Sequence, residues 1–187
     1  VADAVMNDIG VSVQLIEPPF STRLANRDEK PFEDLLAGKK YLLFFGTIGI
    51  NKGVPSIAEI ICPLLTAHPD LFFAFIGKDG GYFDQPMMEY VWKKAGSARG
   101  RVLYLGQMPH SQLYPILTGA TAVVLPSRMD NLPNTCIEAM ACNQIVVGTR
   151  GASFEQLIVD SVSGFLVSID SPAELLCGIN KALSLPL

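Results

Sequence analysis

Two histidines, one tryptophan and four cysteines in 187 residues leave this chain poorly supplied for several kinds of chemistry. The cysteines (Cys62, Cys136, Cys142 and Cys177) form no CxxC pair and, with so few histidines, make a poor metal set. Reduced, structural thiols are expected. No apolar run reaches the roughly 18 residues of a spanning helix, and the longest runs are broken by Gly or Pro. A formal charge of −4 without any cluster of Lys or Arg argues against a nucleic-acid surface and against a basic membrane patch. There is no internal repeat and no low-complexity tract. Charged residues make up only 17% against 49% apolar, which excludes disorder, and the length suits one domain with a good core. The chain begins at Val1 rather than at a methionine, and its first residues resemble neither a signal nor a transit peptide. It therefore reads as a piece of a longer protein.

What is present is a regular alternation. Short, nearly continuous apolar runs at Val13–Ile16, Tyr41–Phe45, Leu71–Ile76, Val102–Leu105, Ala122–Leu125, Ile145–Val147 and Phe165–Ile169 suit strands buried on both faces. Between them lie amphipathic segments, with Ile57, Ile60, Ile61 and Leu64 on one helical face and Met88, Val91, Trp92 and Ala95 on another. Ser171-Pro172-Ala173-Glu174 is a capping box that starts a last helix. Arg27–Lys40 is polar and holds at most a short helix. The expectation is an α/β, Rossmann-like, doubly wound and mostly parallel sheet with helices on both faces. In such a sheet ligands meet the loops that follow strands: Gly46–Gly53, Gly77–Asp84, Gly106–Ser111, Pro126–Asn134 and Gly148–Ser153.

The stretch Pro126–Ala141, PSRMDNLPNTCIEAMA, is the most informative. It puts Asp130 in a loop after a strand and Glu138 inside the helix that follows, with Pro133 suited to the first helical turn. A carboxylate accepts from two hydroxyls at once, so either acid could hold a ribose diol or vicinal hydroxyls of a sugar. Amides near Asn134 and Thr135 would face a phosphate at the helix start. After the second strand, GTIGINKG lets backbone approach a ligand at Gly46 and Gly49, and sets Lys52 just before a helix. Its spacing fits neither a P-loop nor the dinucleotide GxGxxG. A plain glycine turn with a solvated lysine would look the same, as would a turn-forming Asp130 and a solvated Glu138. Gly77-Lys78-Asp79-Gly80-Gly81 suits a plain turn and could also line the rim; Met108-Pro109-His110 could cover a flat base, although a loop histidine is weak evidence of a site.

On these motifs the chain resembles the nucleotide-binding C-terminal domain of group 1 glycosyltransferases, retaining enzymes built from two Rossmann-like domains (the GT-B fold). The likeness runs from Tyr41 to Leu183 and is carried by FGTIGINKG, VLYLGQMPHSQL, GASFEQLI, SGFLVSIDSPAEL and, most specifically, AVVLPSRMDNLPNTCIEAMACNQIVVG. The family's two acids, with seven residues between them, become Asp130 and Glu138. The resemblance implies that Glu138 holds the ribose of a nucleoside-diphosphate sugar and that Asp130 contacts the donor sugar. Lys52, with amides near Asn134 and Thr135, would bind the diphosphate and stabilise it as the leaving group; Lys52 and Asp130 thus carry the chemistry. Met108 would lie beside the base, with Gly46 and Thr47 in the donor site, and Glu155 would orient its loop. No cofactor or metal is implied, which agrees with the absence of any DxD.

Two positions depart from the family pattern. Thr47 stands where the family has Arg, removing a bidentate phosphate partner that Arg128 or Arg150 could replace. Asp130 stands where the family has Glu, withdrawing the carboxylate by about 1.5 Å. By the same resemblance, residues 1–30 hold the inter-domain crossover and first strand, residues 31–187 form the donor domain, and the N-terminal acceptor domain is missing. The missing domain and an unknown sugar, lipid or protein acceptor are then the partners, with no nucleic acid. The isolated chain is expected to bind donor and transfer nothing. Its expected place is cytoplasmic, at most peripheral to the inner face of a membrane through the absent domain. An epimerase or phosphorylase of the same architecture and a non-catalytic nucleotide-binding module remain as alternatives. An epimerase would have to use His68, His110 or acids as its base.

Overall fold

The computed structural model describes residues 27–185. The strand expected at Val13–Ile16 and the crossover lie outside them. Six strands form one parallel sheet: β1 (Lys40–Phe45), β2 (Leu71–Ile76), β3 (Val102–Tyr104), β4 (Ala122–Leu125), β5 (Val146–Thr149) and β6 (Phe165–Val167). Six helices accompany them: α1 (Lys30–Leu35), α2 (Val54–Ala67), α3 (Met87–Ala95), α4 (His110–Thr118), α5 (Asn134–Ala141) and α6 (Pro172–Leu183). The strand order is β3-β2-β1-β4-β5-β6. The chain winds outward from β1 in one direction, then returns to β4 on its other side and winds the opposite way. The gap beyond the C-terminal ends of β1 and β4 is therefore the topological switch point, where a doubly wound sheet opens a crevice.

Alternation along each strand divides the core into two layers. Leu42, Phe44, Phe73, Phe75 and Val124 pack against α2, α3 and α6, with Ile57, Ile61, Val91 and Ile179 buried between them. Tyr41, Leu43, Ala74, Val123 and Leu125 face α1, α4 and α5, where Leu36, Leu117 and Ala139 are buried. Burial on both faces is what the continuous apolar runs required. The last helix starts as its capping box predicts, with the Glu174 N–H donating to the Ser171 hydroxyl.

The differences from the sequence reading lie at element ends. The fifth strand is shifted to Val146–Thr149, so Gly148 belongs to the strand and not to the loop. Strands β3 and β6 stop one and two residues early, at Tyr104 and Val167. The loop after β3 ends at Pro109, because α4 begins at His110. These are places where apolar content continues past the last paired residue, so periodicity has nothing to mark the boundary.

Candidate functional site

The loops after β1 and β4 are sewn together at the switch point. Gly53 has φ +71°, and a Cβ there would lie 1.7 Å from the Pro126 carbonyl oxygen. Only glycine permits both the conformation and the approach. Beside this seam, the Arg128 N–H donates to the Asn51 carbonyl at 2.9 Å. From the other side the buried Thr149 hydroxyl donates to the Ser127 carbonyl. The loop that carries Asp130 is thus held on both flanks. Lys52 ends a single 3-10 turn, Ile50–Lys52, immediately before Gly53 and α2. Its ammonium donates to the Asp130 carboxylate, forming an ion pair between residues far apart in sequence. The acid's side chain is 12% exposed and the lysine's 32%, so the pair sits at a crevice mouth rather than on open surface.

Pro133 occupies the cap position of α5, one residue before the first turn where the sequence suggested it. Its φ of −76° and ψ of 79° make a tight inverse turn in which the Asn134 N–H donates to the Leu132 carbonyl at 2.8 Å. The Cys136 and Ile137 N–H groups go to the Pro133 carbonyl. Of the two amides expected to face a phosphate, that of Asn134 is therefore spent. Among the described residues the Thr135 N–H has no protein acceptor.

One turn further, the Glu138 carboxylate is 14% exposed, and its Oε1 lies 3.6 Å from Nε2 of His110 at the start of α4. Burial raises its pKa above the usual carboxylate range, and the facing His110 partly opposes that rise. A cavity of about 310 Å³ opens here, lined by Gly46, Thr47, Met108, His110, Thr135 and Glu138, among others. A second, of about 490 Å³, adjoins it at Thr47 and is lined by Asn51, Lys52, Gly80 and Gly81. Through the shared Thr47 they make one crevice, with Met108, Glu138 and Lys78 at one end and Lys52 at the other. A hollow of about 370 Å³ near Met140 and Phe165 lies elsewhere and has no charged lining.

The arginines expected to stand in at Thr47 are not brought to this crevice. Arg128 pairs with Asp170 at 2.7 Å, and Arg150 pairs with Asp160 at 2.6 Å while also donating to the Leu166 carbonyl. Glu155 accepts from the Gly151 N–H, as a loop-orienting acid should. Two roles were missed. His110 was set aside as a loop residue, yet it lines the cavity and faces Glu138. Asp79, in an expected plain turn, accepts from the Gly81, Met87 and Met88 N–H groups and caps α3 from outside the helix. Proximity of Met108 to His110 in sequence could have suggested the first; nothing local pointed to the second. Among the described residues no three His, Cys, Asp or Glu side chains converge on a possible metal position.

The family model described as "Glycosyl transferases group 1" matches residues 26–186. The D-inositol 3-phosphate glycosyltransferase 1 of Catenulispora acidiphila is 28% identical over 170 residues, 88% of this chain and 39% of that protein. The lipopolysaccharide core biosynthesis mannosyltransferase LpcC of Rhizobium leguminosarum is 24% identical over 163 residues, 85% of this chain and 44% of that protein. This chain spans less than half the length of such relatives. Among solved structures, the C-terminal domain of a group 1 family protein (LpcC) from Francisella tularensis superposes with a TM-score of 0.71 at 23% identity, covering 86% of this chain and 84% of that one. Anabaena HepE in complex with UDP and glucose gives 0.70 at 20% identity, covering 83% and 42%. At these identities the structures establish the fold.

Proposed function

The chain belongs to the group 1 glycosyltransferases, and from that premise we propose that it is the donor-binding part of a retaining enzyme that uses a nucleoside-diphosphate sugar. The observation that supports this best is the crevice at the switch point formed by two cavities that share Thr47, with Glu138 and Lys78 in one and Lys52 in the other. Its two ends suit the two ends of a nucleoside diphosphate. Met108 offers an apolar surface to a base, and the desolvated Glu138 carboxylate accepts from the ribose diol. The Lys52 ammonium meets the diphosphate, with the Thr135 N–H at the start of α5 adding a donor. As the bond from the anomeric carbon to the diphosphate breaks, negative charge grows on the departing oxygen. Lys52 stabilises that charge without a metal, and Asp130 addresses the sugar. The acceptor and the rest of the catalytic apparatus belong to the part of the protein beyond this chain, so the chain alone binds donor and transfers nothing.

The deciding experiment is calorimetric titration of the chain with UDP, GDP and ADP, with and without magnesium. Saturable binding of one diphosphate, unchanged by magnesium, is the expected result; silence from all three overturns the donor-site reading. Substitution then separates the ends of the crevice. Lys52→Ala weakens diphosphates and spares the nucleoside, whereas Glu138→Ala weakens both. Equal losses in both variants would refute the separate roles. Of the two histidines an epimerase would call on, His68 is bonded to Asn180 at 2.9 Å and lines neither cavity, whereas His110 lines the first and faces Glu138.

A further inference from the structure

Resting on the donor-site reading, we propose that Lys52 and Asp130 exchange partners when donor binds. The diphosphate takes Lys52, and the released Asp130 takes hydroxyls of the sugar attached to that diphosphate. In the free protein each group serves as the other's ligand. Lys52 is the one hydrogen-bond donor that reaches Asp130 among the described residues, and Asp130 is the one acceptor of Lys52. Arg128, two residues before the acid, is paired with Asp170 instead.

The loops themselves are not free to part. The Arg128 N–H is bound to the Asn51 carbonyl, the Thr149 hydroxyl to the Ser127 carbonyl, and Gly53 is pressed against Pro126. The exchange is thus a side-chain event. A lysine ammonium on a four-carbon stem can swing to a doubly charged diphosphate at little cost, whereas the short aspartate stays where it is. Left behind without hydrogen-bond donors, a carboxylate only 12% exposed is poorly solvated. The sugar cures that, because its hydroxyls are covalently held next to the phosphate that drew the lysine away. A sugar-free diphosphate cannot.

The consequence is directional. Intact donor satisfies both groups, whereas the diphosphate product satisfies only Lys52. Once the sugar has left, Asp130 competes for Lys52 and helps to expel the product.

Calorimetry on the chain with UDP and UDP-glucose, GDP and GDP-mannose, and ADP and ADP-glucose tests the exchange. Wild type binds its donor about tenfold more tightly than the matching diphosphate, corresponding to ~1.4 kcal/mol. Asp130→Asn, or Asp130→Ser if the first is not folded by thermal melting, binds the diphosphate about tenfold more tightly than wild type. In the variant the preference for the sugar-bearing ligand disappears. Unchanged or weaker diphosphate binding by the variant overturns the exchange, since a lysine that merely bridges both anions, or that needs Asp130 to position it, predicts that result. Equal wild-type affinity for donor and diphosphate overturns it independently of any variant. If wild type binds none of the six ligands, the donor-site reading itself fails and the exchange falls with it.

Discussion

Lys52–Asp130 and Arg150–Asp160 are both ion pairs on the loop side of one parallel sheet, yet they are finished to different degrees. Asp160 accepts from Arg150 with one oxygen and from the Leu166 N–H with the other, while Arg150 also donates to the Leu166 carbonyl. The Leu166 N–H, then Arg150, hold the Asp160 carboxyl below its ordinary range. Both Asp160 oxygens have a donor from the chain itself, and the pair clasps the loop before β6 to the end of β5. Among the described residues Asp130 has one donor, Lys52, and that lysine lines the second of the two cavities. The same two charges make a structural clasp in one place and an unfinished site in the other. What separates them is whether backbone groups use up the remaining lone pairs, not the strength of the charges.

The largest way to break this contrast is to open the seam on which the unfinished pair depends. Gly53→Ala puts a methyl into the Pro126 carbonyl at a left-handed φ, and is expected to cost about 3 kcal/mol or more in a urea melt. Nucleoside-diphosphate binding is lost with it; a variant of near-wild-type stability would show that the seam yields more readily than its geometry implies. Next, Glu138→Ala removes an acid of the crevice and is expected to weaken diphosphate binding by about 1.5–3 kcal/mol without comparable loss of stability. Calorimetry and thermal melting on the same preparation check both halves.

Asp160→Asn is the converse, with stability lowered by about 1 kcal/mol, limited by solvent screening, and nucleotide affinity unchanged. A lowered carboxyl pKa contributes stability that is present above the ordinary Asp value of about 3.9 and is lost as pH falls through the folded value. The gap between wild type and variant therefore closes in acid; a gap that widened there would contradict the clasp. The smallest effect has the opposite sign. Glu138 has a raised pKa, so its contribution to folding is fully present below the unfolded value and is lost as pH rises through the folded one. Glu138→Gln should then stabilise the protein at pH 7 by less than about 1 kcal/mol, and chemical melts at pH 4 should show the gain gone. Stabilisation that persisted at pH 4 would mean that burial of charge is not the cause.

The legible parts of the molecule are those where local pattern and global environment agree. All six described strands were visible as apolar runs because both faces of a parallel sheet are buried, and their ends blurred where apolar residues continued past the last ladder bond. Asp130, Glu138 and Lys52 stood out because they fall in or just after loops that follow strands, where a doubly wound sheet gathers its ligand contacts. The partners they meet did not stand out. Glu138 faces His110 from a neighbouring helix, Lys52 meets Asp130 across the switch point, and α3 is capped by Asp79 from before a hairpin-like turn at Tyr82 and Gln85.

Sequence alone settled the class of sheet, the loops on which chemistry could sit and the residue types available there. Periodicity and turn residues act over a handful of positions, and those features are local. Tertiary structure decided which loops became neighbours, and so which charges were left unsatisfied. Strand order places β1 beside β4, although β2 and β3 intervene in the chain. A glycine with no Cβ then lets the two loops close to contact. Hydrogen-bond capacity is spent between whichever groups the fold brings within about 3 Å. For that reason the committed Arg150 and the available Lys52, both simply cations on rim loops in the sequence, could be told apart only once the chain had folded.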